Sequence, residues 1–371
     1  MSKFARTSIS IINMSRKLEL NDTLSMKGVA ITFIILHNLI HLICPIKENE
    51  FNFNIDHSKA FISHLLNLNN DLWIDIFSFL GWYGVPVFLF ISGYGLVQKY
   101  EKNKTHKDVG FFQFTKKHFK KLFLLMIIPY VIYLLLHWNS INLKAVFAQS
   151  LMISNLYSSL VHPGIYWYFG LMLQLYIAYY LFIFNKPQKN IVYLILLQFI
   201  IIAFCYYVLD NSKILSGYPS LKFVLSSYNM LHNSIGWFLP FAIGIIYARY
   251  NFNIAFNHTL LNLLLFVGSS FLLIVSNLNF ISWLLSPILA ISSAISLNAL
   301  IKPLKNTNKI FVYIGGISAF LFATHPLVRS MYFNVTTSLS ISSVLLYALV
   351  CILVAICYKV MHRKLQNTFQ H

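Results

Sequence analysis

Residues 26–44 read MKGVAITFIILHNLIHLIC. A helix of about 20 apolar residues crosses the roughly 30 Å hydrocarbon core of a bilayer and satisfies its backbone hydrogen bonds internally. Nine further stretches have a similar length and character: 79–98, 121–138, 165–184, 190–209, 234–250, 259–276, 281–300, 309–327 and 341–361. The sequence therefore predicts an all-α integral membrane protein, a bundle of about ten transmembrane helices over residues 26–361.

The composition supports a membrane protein. Of the 371 residues, 58% are hydrophobic and 10% are charged, against about 45–50% and 25% in soluble domains. A soluble fold of this composition would expose large apolar patches. Lipid is the expected partner of this apolar surface.

The basic residues behind the net charge of +18 are distributed in a pattern that indicates membrane topology. Counted along the alternating loops, 22 Lys and Arg residues fall on one side and 6 on the other. Basic residues resist translocation, so the richer side is predicted to be cytoplasmic. Both termini then lie in the cytoplasm, with residues 1–25 as a leader and 362–371 as a tail. No basic groove with interleaved aromatic residues accompanies the charge, so nucleic acid is not an expected partner.

The four cysteines lie in or beside apolar segments and form no CxxC motif. The sequence predicts small buried side chains there. We expect neither a disulfide framework nor a metal site.

The first span carries two histidines one helical turn apart, His37 and His41, ten or more residues after Lys27. Ionisable groups within a membrane are costly and are candidates for function. Three interpretations remain open for the pair. It could bind a metal, although no further ligand has convincing spacing; it could supply a general base, since imidazole titrates near neutrality; or it could hydrogen-bond to neighbouring helices.

Five motifs occur in a fixed order along the chain. They are Lys27-Gly28-Val29-Ala30 followed by His37, Val85-Pro86-Val87-Phe88-Leu89-Phe90-Ile91-Ser92-Gly93-Tyr94, Lys116–Lys121 followed by Pro129-Tyr130, Tyr166-Trp167-Tyr168-Phe169, and Ile317-Ser318 through His325-Pro326. In this order they resemble the membrane acyltransferase-3 family, which includes O-acetyltransferases of bacterial surface polysaccharides. The resemblance covers residues 27–326.

The resemblance implies an acyltransferase of the bacterial inner membrane. Its donor would be cytoplasmic acyl-coenzyme A, with acetyl-coenzyme A expected, and its acceptor a hydroxyl of a surface glycan or lipid-linked oligosaccharide. His37 would act as the base, with His41 as the alternative. The donor phosphates would bind cationic side chains at the cytoplasmic side, namely Lys27, Lys117, Lys120, Lys121 and Arg249.

Four residues are candidates for binding the acceptor: Ser92, Tyr94, Trp167 and His325. Structural alternatives stay open. Ser92 could serve close helix packing beside Gly93, Trp167 could belong to an interfacial aromatic belt, and His325 could mark a kinked helix end before Pro326.

Two other functions stay open. Transporters also place charged residues within the membrane, so the chain could export a glycan or a lipid-linked intermediate. The family commonly has its histidine eleven positions after the basic residue, where this chain has Asn38. That departure keeps open a catalytically inactive scaffold in a polysaccharide assembly, as well as a local helix bulge or the use of His41.

Overall fold

The computed structural model describes residues 17–44, 46–67, 71–103, 109–210, 215–251, 254–333 and 340–368. These residues form helices and loops without a β-strand. Within them, nine helices are long and apolar enough to cross a membrane, and a tenth apolar helix, Ser234–Arg249, is shorter. The prediction of an all-α, multi-pass membrane fold is confirmed.

Fifteen α-helices in the described residues carry the labels used below. They are α1 Leu20–Ile40, α2 Ile55–Leu66, α3 Leu72–Leu80, α4 Gly84–Leu96, α5 Phe111–Leu136, α6 Leu143–Ser150, α7 Trp167–Phe182, α8 Lys189–Phe204, α9 Pro219–Val224, α10 Ser227–Met230, α11 Ser234–Arg249, α12 Thr259–Ser276, α13 Phe280–Ile301, α14 Lys305–Phe333 and α15 Ile341–Thr368. A 3-10 turn joins α3 to α4, so Leu72–Glu101 forms one long candidate span. Residues 1–16 of the predicted leader and 369–371 of the predicted tail lie outside the described residues.

Helix α1 begins six residues before the predicted span and ends four residues before its predicted end. Glu19 and Asp22 form a capping box, in which the Glu19 backbone N–H donates to Asp22 Oδ2 over 2.9 Å. Lys302 holds Asp22 in an ion pair of 3.0 Å. Hydropathy placed the start too late because it discounts the polar residues that cap a helix.

The contacts divide the chain into two compact units, each described by itself. The first contains Met1–Gln98 and Pro240–Ser318. In it, α1 packs against α3, α4 and α13, while α12 and α13 pair closely. Over the 18 residues of each span that were compared, the share of buried residues is 61% in α1 and 72% in Leu72–Glu101, against 22% in α12. Helix α1 and the α3–α4 span therefore form the core of this unit, and α12 presents most of its surface to lipid.

Two glycines allow α1 to approach α14 closely within the first unit. A Cβ on Gly28 would lie 2.0 Å from the Phe311 carbonyl oxygen, and a Cβ on Gly315 would lie 1.8 Å from the Leu24 carbonyl oxygen. Small residues at both contacts let the backbones pack without a side chain between them. Gly28 of the first motif thus has a structural role.

The second unit contains Lys99–Leu239 and Ala319–His371. Helix α5 packs against α7, and the Tyr358 hydroxyl of α15 donates to the Leu125 carbonyl of α5 over 2.9 Å. The Tyr166 hydroxyl donates to the Ala323 carbonyl of α14 over 2.7 Å. Only 22% of the residues are buried over an 18-residue stretch of α5 and of the span Lys189–Asp210, as expected for helices facing lipid.

Candidate active site

His37 lies in the last turn of α1 and is only 2% exposed. Its Nδ1 lies 3.0 Å from the Ser78 carbonyl oxygen and 3.3 Å from that of Phe77. A carbonyl oxygen only accepts hydrogen bonds, so Nδ1 carries the proton. In the neutral ring the lone pair is then on Nε2, which is the basic nitrogen.

Nε2 of His37 faces two carboxylates from the loop after α1. Glu50 Oε2 lies 3.9 Å from Nε2, and the Glu50 side chain is 13% exposed. One ligand-type atom from each of His37, Glu48 and Glu50 falls within 4.8 Å of the others. Oε2 of Glu48 is buried and has no hydrogen-bond partner among the described residues. The fold therefore adds two acids that the sequence did not point to.

The loop that carries these acids is anchored through Asn49, which lies between them and is fully buried. Asn49 donates from Nδ2 to Ser58 Oγ over 3.0 Å and accepts from the Asn54 backbone N–H over 3.2 Å. Its carbonyl accepts from Trp283 Nε1 over 3.0 Å. Ser58 Oγ in turn donates to the Asn277 carbonyl over 2.7 Å. These bonds anchor the loop that carries both carboxylates to α2, to α13 and to the turn after α12.

Burial raises the pKa of Glu50 well above its ordinary value, and the neighbouring charge of Glu48 raises it further. Two carboxylates this close do not both ionise readily. The pair therefore favours a state in which the two side chains share one negative charge. That charge lies close to the basic nitrogen of His37.

His41 stacks on His37 with ring centroids 4.7 Å apart and an interplanar angle of 15°. Its Nδ1 donates to the His37 carbonyl over 2.8 Å, so Nε2 carries its lone pair as well. His41 is more exposed than His37. Asn38 donates to the Ile34 carbonyl over 2.9 Å within a continuous α-helix, which leaves no bulge in α1.

The group of His37, Glu48 and Glu50 offers one imidazole and two carboxylates, a set that suits a divalent cation by ligand type. The same set suits a base beside a carboxylate pair. The absence of a metal site therefore stays a prediction.

Two cavities of the first unit lie along α1. An apolar cavity of about 240 Å³ is lined by Met26, Ala30 and Phe33 of α1. Phe33 precedes His37 by one helical turn. A second cavity of about 700 Å³ is lined by Lys17, Lys27, Tyr94 and other residues. Tyr94 donates to the Leu18 carbonyl over 2.9 Å, so it lies at the Lys27 end of α1.

The second unit brings three lysines together. Lys117 and Lys121 lie one turn apart and exposed on α5, and both interact electrostatically with Lys99. Lys120 is exposed on the same helix. Lys99 was not among the residues predicted to bind the donor phosphates. It belongs to the same basic segment, but it lies before the loop that leads to α5. Arg249 ends α11 in the first unit and is half-buried.

Three residues assigned to the acceptor are placed as follows. Ser92 is half-buried in α4. Trp167 is 5% exposed and stacks on Trp237 with centroids 5.5 Å apart. His325 is fully buried in α14, and its Nδ1 donates to the Leu321 carbonyl over 3.0 Å. Their role in binding an acceptor stays a prediction.

A protein-family model described as an acyltransferase domain, that of the acyltransferase-3 family, matches residues 25–360. The match contains α1 with its histidine pair, the Glu48–Glu50 loop and the lysines of α5. No curated protein and no solved structure matches the chain.

Proposed function

We propose a reaction for this chain, which belongs to the acyltransferase-3 family and is a multi-pass membrane acyltransferase. It transfers an acyl group, expected to be acetyl, from cytoplasmic acyl-coenzyme A. The acceptor is a hydroxyl of a bacterial envelope polysaccharide or of its lipid-linked precursor. The observation that carries the proposal is the buried His37, whose basic Nε2 faces Glu48 and Glu50. The proposal places the protein in the bacterial cytoplasmic membrane with both termini in the cytoplasm.

In this mechanism, His37 is the general base. The acceptor O–H bond breaks as its oxygen forms a bond to the acyl carbon, and the proton moves to Nε2. The carbon–sulfur bond of the thioester then breaks, and the same proton passes to the departing thiolate. The hydrogen bond from Nδ1 to the Ser78 carbonyl holds the tautomer that the first step requires.

The carboxylate pair stabilises the imidazolium that forms when His37 takes the proton. One negative charge shared by Glu48 and Glu50 lies about 4 Å from Nε2, in a site where little water screens it. The pair thereby favours proton transfer in the transition state more than it favours the neutral ground state.

The donor would enter from the cytoplasmic end. In the first unit, the cavity beside Lys27 is large enough for part of a nucleotide. In the second unit, taken by itself, the lysines at 99, 117 and 121 concentrate positive charge of the kind that binds phosphates. The apolar cavity along Met26–Phe33 suits a thin, largely uncharged pantetheine arm. A water-poor route would limit hydrolysis of the thioester.

The proposal is tested by mass spectrometry of the envelope polysaccharide from cells with and without the gene, and from cells that carry His37→Ala. We expect acyl groups to disappear from the glycan in both altered strains while the amount of exported glycan stays normal. Export lost together with acylation would favour a transporter. Acylation that persists in the His37→Ala strain but not in the deletion strain would favour a scaffold for another enzyme.

A matched control is His258→Ala, an exposed histidine that precedes α12 in the same unit. It should leave glycan acylation unchanged. In vitro, purified protein with radiolabelled acetyl-coenzyme A and the glycan should form product in the presence of EDTA, because the mechanism assigns no step to a metal.

A further inference from the structure

A polar cluster lies at the other end of α5 from the lysines. We call it the outer polar cluster because the predicted topology places this end outside. Its six residues come from α5, α14, α15 and the loop before α7, all in the second unit: Tyr130, Tyr133, His162, His325, Arg329 and Tyr347.

Electrostatic interactions link several of these residues to Arg329. Its guanidinium interacts electrostatically with Tyr133 and Tyr347, and with His325 one turn earlier on α14. The His162 ring lies 5.3 Å from the Tyr133 ring, measured between centroids. Tyr130 lies within electrostatic range of Tyr133.

The cluster has a buried floor and a more open rim. His325 and Tyr130 are 0% and 1% exposed, whereas Tyr133, His162 and Arg329 are half-buried. Four buried polar atoms of the cluster have no hydrogen-bond partner among the described residues: the Tyr130 and Tyr347 hydroxyls, His325 Nε2 and His162 Nε2. Leaving such groups unsatisfied costs about 1–3 kcal/mol each, so their concentration at one place points to a ligand that satisfies them.

The chemistry of the cluster indicates the charge of that ligand. The sequences of α5, α14 and α15 contain no Asp or Glu, so these helices contribute positive charge from Arg329 and hydroxyl and imidazole groups. A guanidinium fork with nearby hydroxyl donors matches a carboxylate or a phosphate. Charged residues at this depth commonly mark a substrate route.

The position separates this site from the donor phosphates. Lys117 and Tyr133 lie 16 residues apart on α5, or about 24 Å at 1.5 Å per residue. Polyanionic coenzyme A enters from the lysine end. A ligand at the outer polar cluster would therefore come from the opposite side.

We infer that the outer polar cluster binds an oxyanion, carboxylate or phosphate, of the acceptor, with Arg329 as its main contact. Two sources share this chemistry: an acidic sugar and the phosphate of a lipid carrier. The inference rests on the proposed function only in assigning the oxyanion to the acceptor, since binding itself requires no acyl transfer.

The test measures ligand binding to the purified full chain in detergent, by the shift of its thermal unfolding midpoint. Two matched pairs of probes separate the sources: galacturonate against galactose, and farnesyl phosphate against farnesol. We expect the anionic member of at least one pair to stabilise the protein while its neutral partner does not. A response to galacturonate identifies an acidic sugar, and a response to farnesyl phosphate identifies a carrier phosphate.

Variants locate the site. Arg329→Gln should abolish the anion-dependent shift, and Arg329→Lys, which keeps the charge but loses the fork, should weaken binding about tenfold. Tyr133→Phe removes the hydroxyl of a half-buried side chain, should fold and should also weaken binding. Arg363→Gln, an exposed arginine of α15, is the control and should bind as the wild type does.

The inference is overturned if neither anion binds better than its neutral partner, or if the folded Arg329 and Tyr133 variants all bind like the wild type. Anion binding that depends on Arg329 in a protein with no acyltransferase activity would leave this inference standing and remove the proposed function. Acyl transfer without anion binding would do the reverse.

Discussion

Removing the two carboxylates beside His37 separately and together should give strongly non-additive effects. Burial and the charge of Glu48 raise the pKa of Glu50, so the pair favours a state that shares one negative charge. In each single variant one carboxylate remains, and the loss of its acidic neighbour removes the repulsion that opposes its ionisation. Each single variant should therefore retain its rate to within about threefold.

The double variant Glu48→Gln/Glu50→Gln loses the charge. A unit charge 3.9 Å from Nε2 interacts with an imidazolium by about 4 kcal/mol at an effective dielectric constant of about 20. If the proton is about half transferred in the transition state, the barrier rises by about 2 kcal/mol, which corresponds to about a 30-fold slower reaction.

The assay is the initial rate of transfer from radiolabelled acetyl-coenzyme A to glycan by the purified protein at saturating donor. The control is Asp56→Asn/Asp71→Asn, two exposed acids of the same outer segment, which should leave the rate unchanged. Single effects that multiply to give the double effect, or a double variant within threefold of the wild type, would refute the shared charge.

Three further outcomes are expected. Because the folded pKa of Glu50 is raised, the native state binds more protons than the unfolded state between about pH 4.5 and that pKa. The free energy of unfolding should therefore fall by up to about 1.4 kcal/mol per pH unit as pH rises through this window. Urea unfolding of Glu50→Gln should show a smaller dependence of stability on pH, and an equal dependence would count against the shift. Replacing Lys117 and Lys121 together by Gln should raise KM for acetyl-coenzyme A about tenfold at low salt with little change in kcat. The control Lys116→Gln, at an exposed position of α5, should leave KM unchanged. An unchanged KM in the double variant would contradict the donor assignment. Gly28→Ala should lower the thermal unfolding midpoint because its Cβ would lie 2.0 Å from the Phe311 carbonyl oxygen, an overpacking cost of about 1–3 kcal/mol. Gly268→Ala, with open space around the new Cβ, should not lower the midpoint. Equal midpoints in the two variants would refute the close contact.

The sequence predicts the helices well because lipid imposes one strong requirement, an apolar run of sufficient length. Spans such as 259–276 coincide with their helices. The start of α1 at Leu20 was missed, since a capping box is polar and short-range. The His37–His41 pair was predicted because residues four apart share a helix face, and the stacked rings confirm that geometry.

Other parts of the site depend on tertiary structure. Glu48 and Glu50 were not among the site residues predicted from the sequence, and the loop that carries them is anchored by the hydrogen bonds of Asn49 to Ser58 and Trp283. The signal that the sequence offered for these acids was their occurrence two residues apart in the first outer loop. No helical or strand periodicity connects that loop with His37. Likewise, Arg329 was counted as an outer loop charge, although it lies in α14 near His325.

The most direct test of the account compares His37→Gln with His41→Gln in the purified transfer assay. A positioned general base contributes about 10²- to 10⁴-fold to the rate. We predict a loss of that size in His37→Gln at unchanged KM for the donor, and a loss of less than tenfold in His41→Gln. A His37→Gln enzyme that keeps more than a tenth of the wild-type kcat would contradict the assignment of this imidazole as the base.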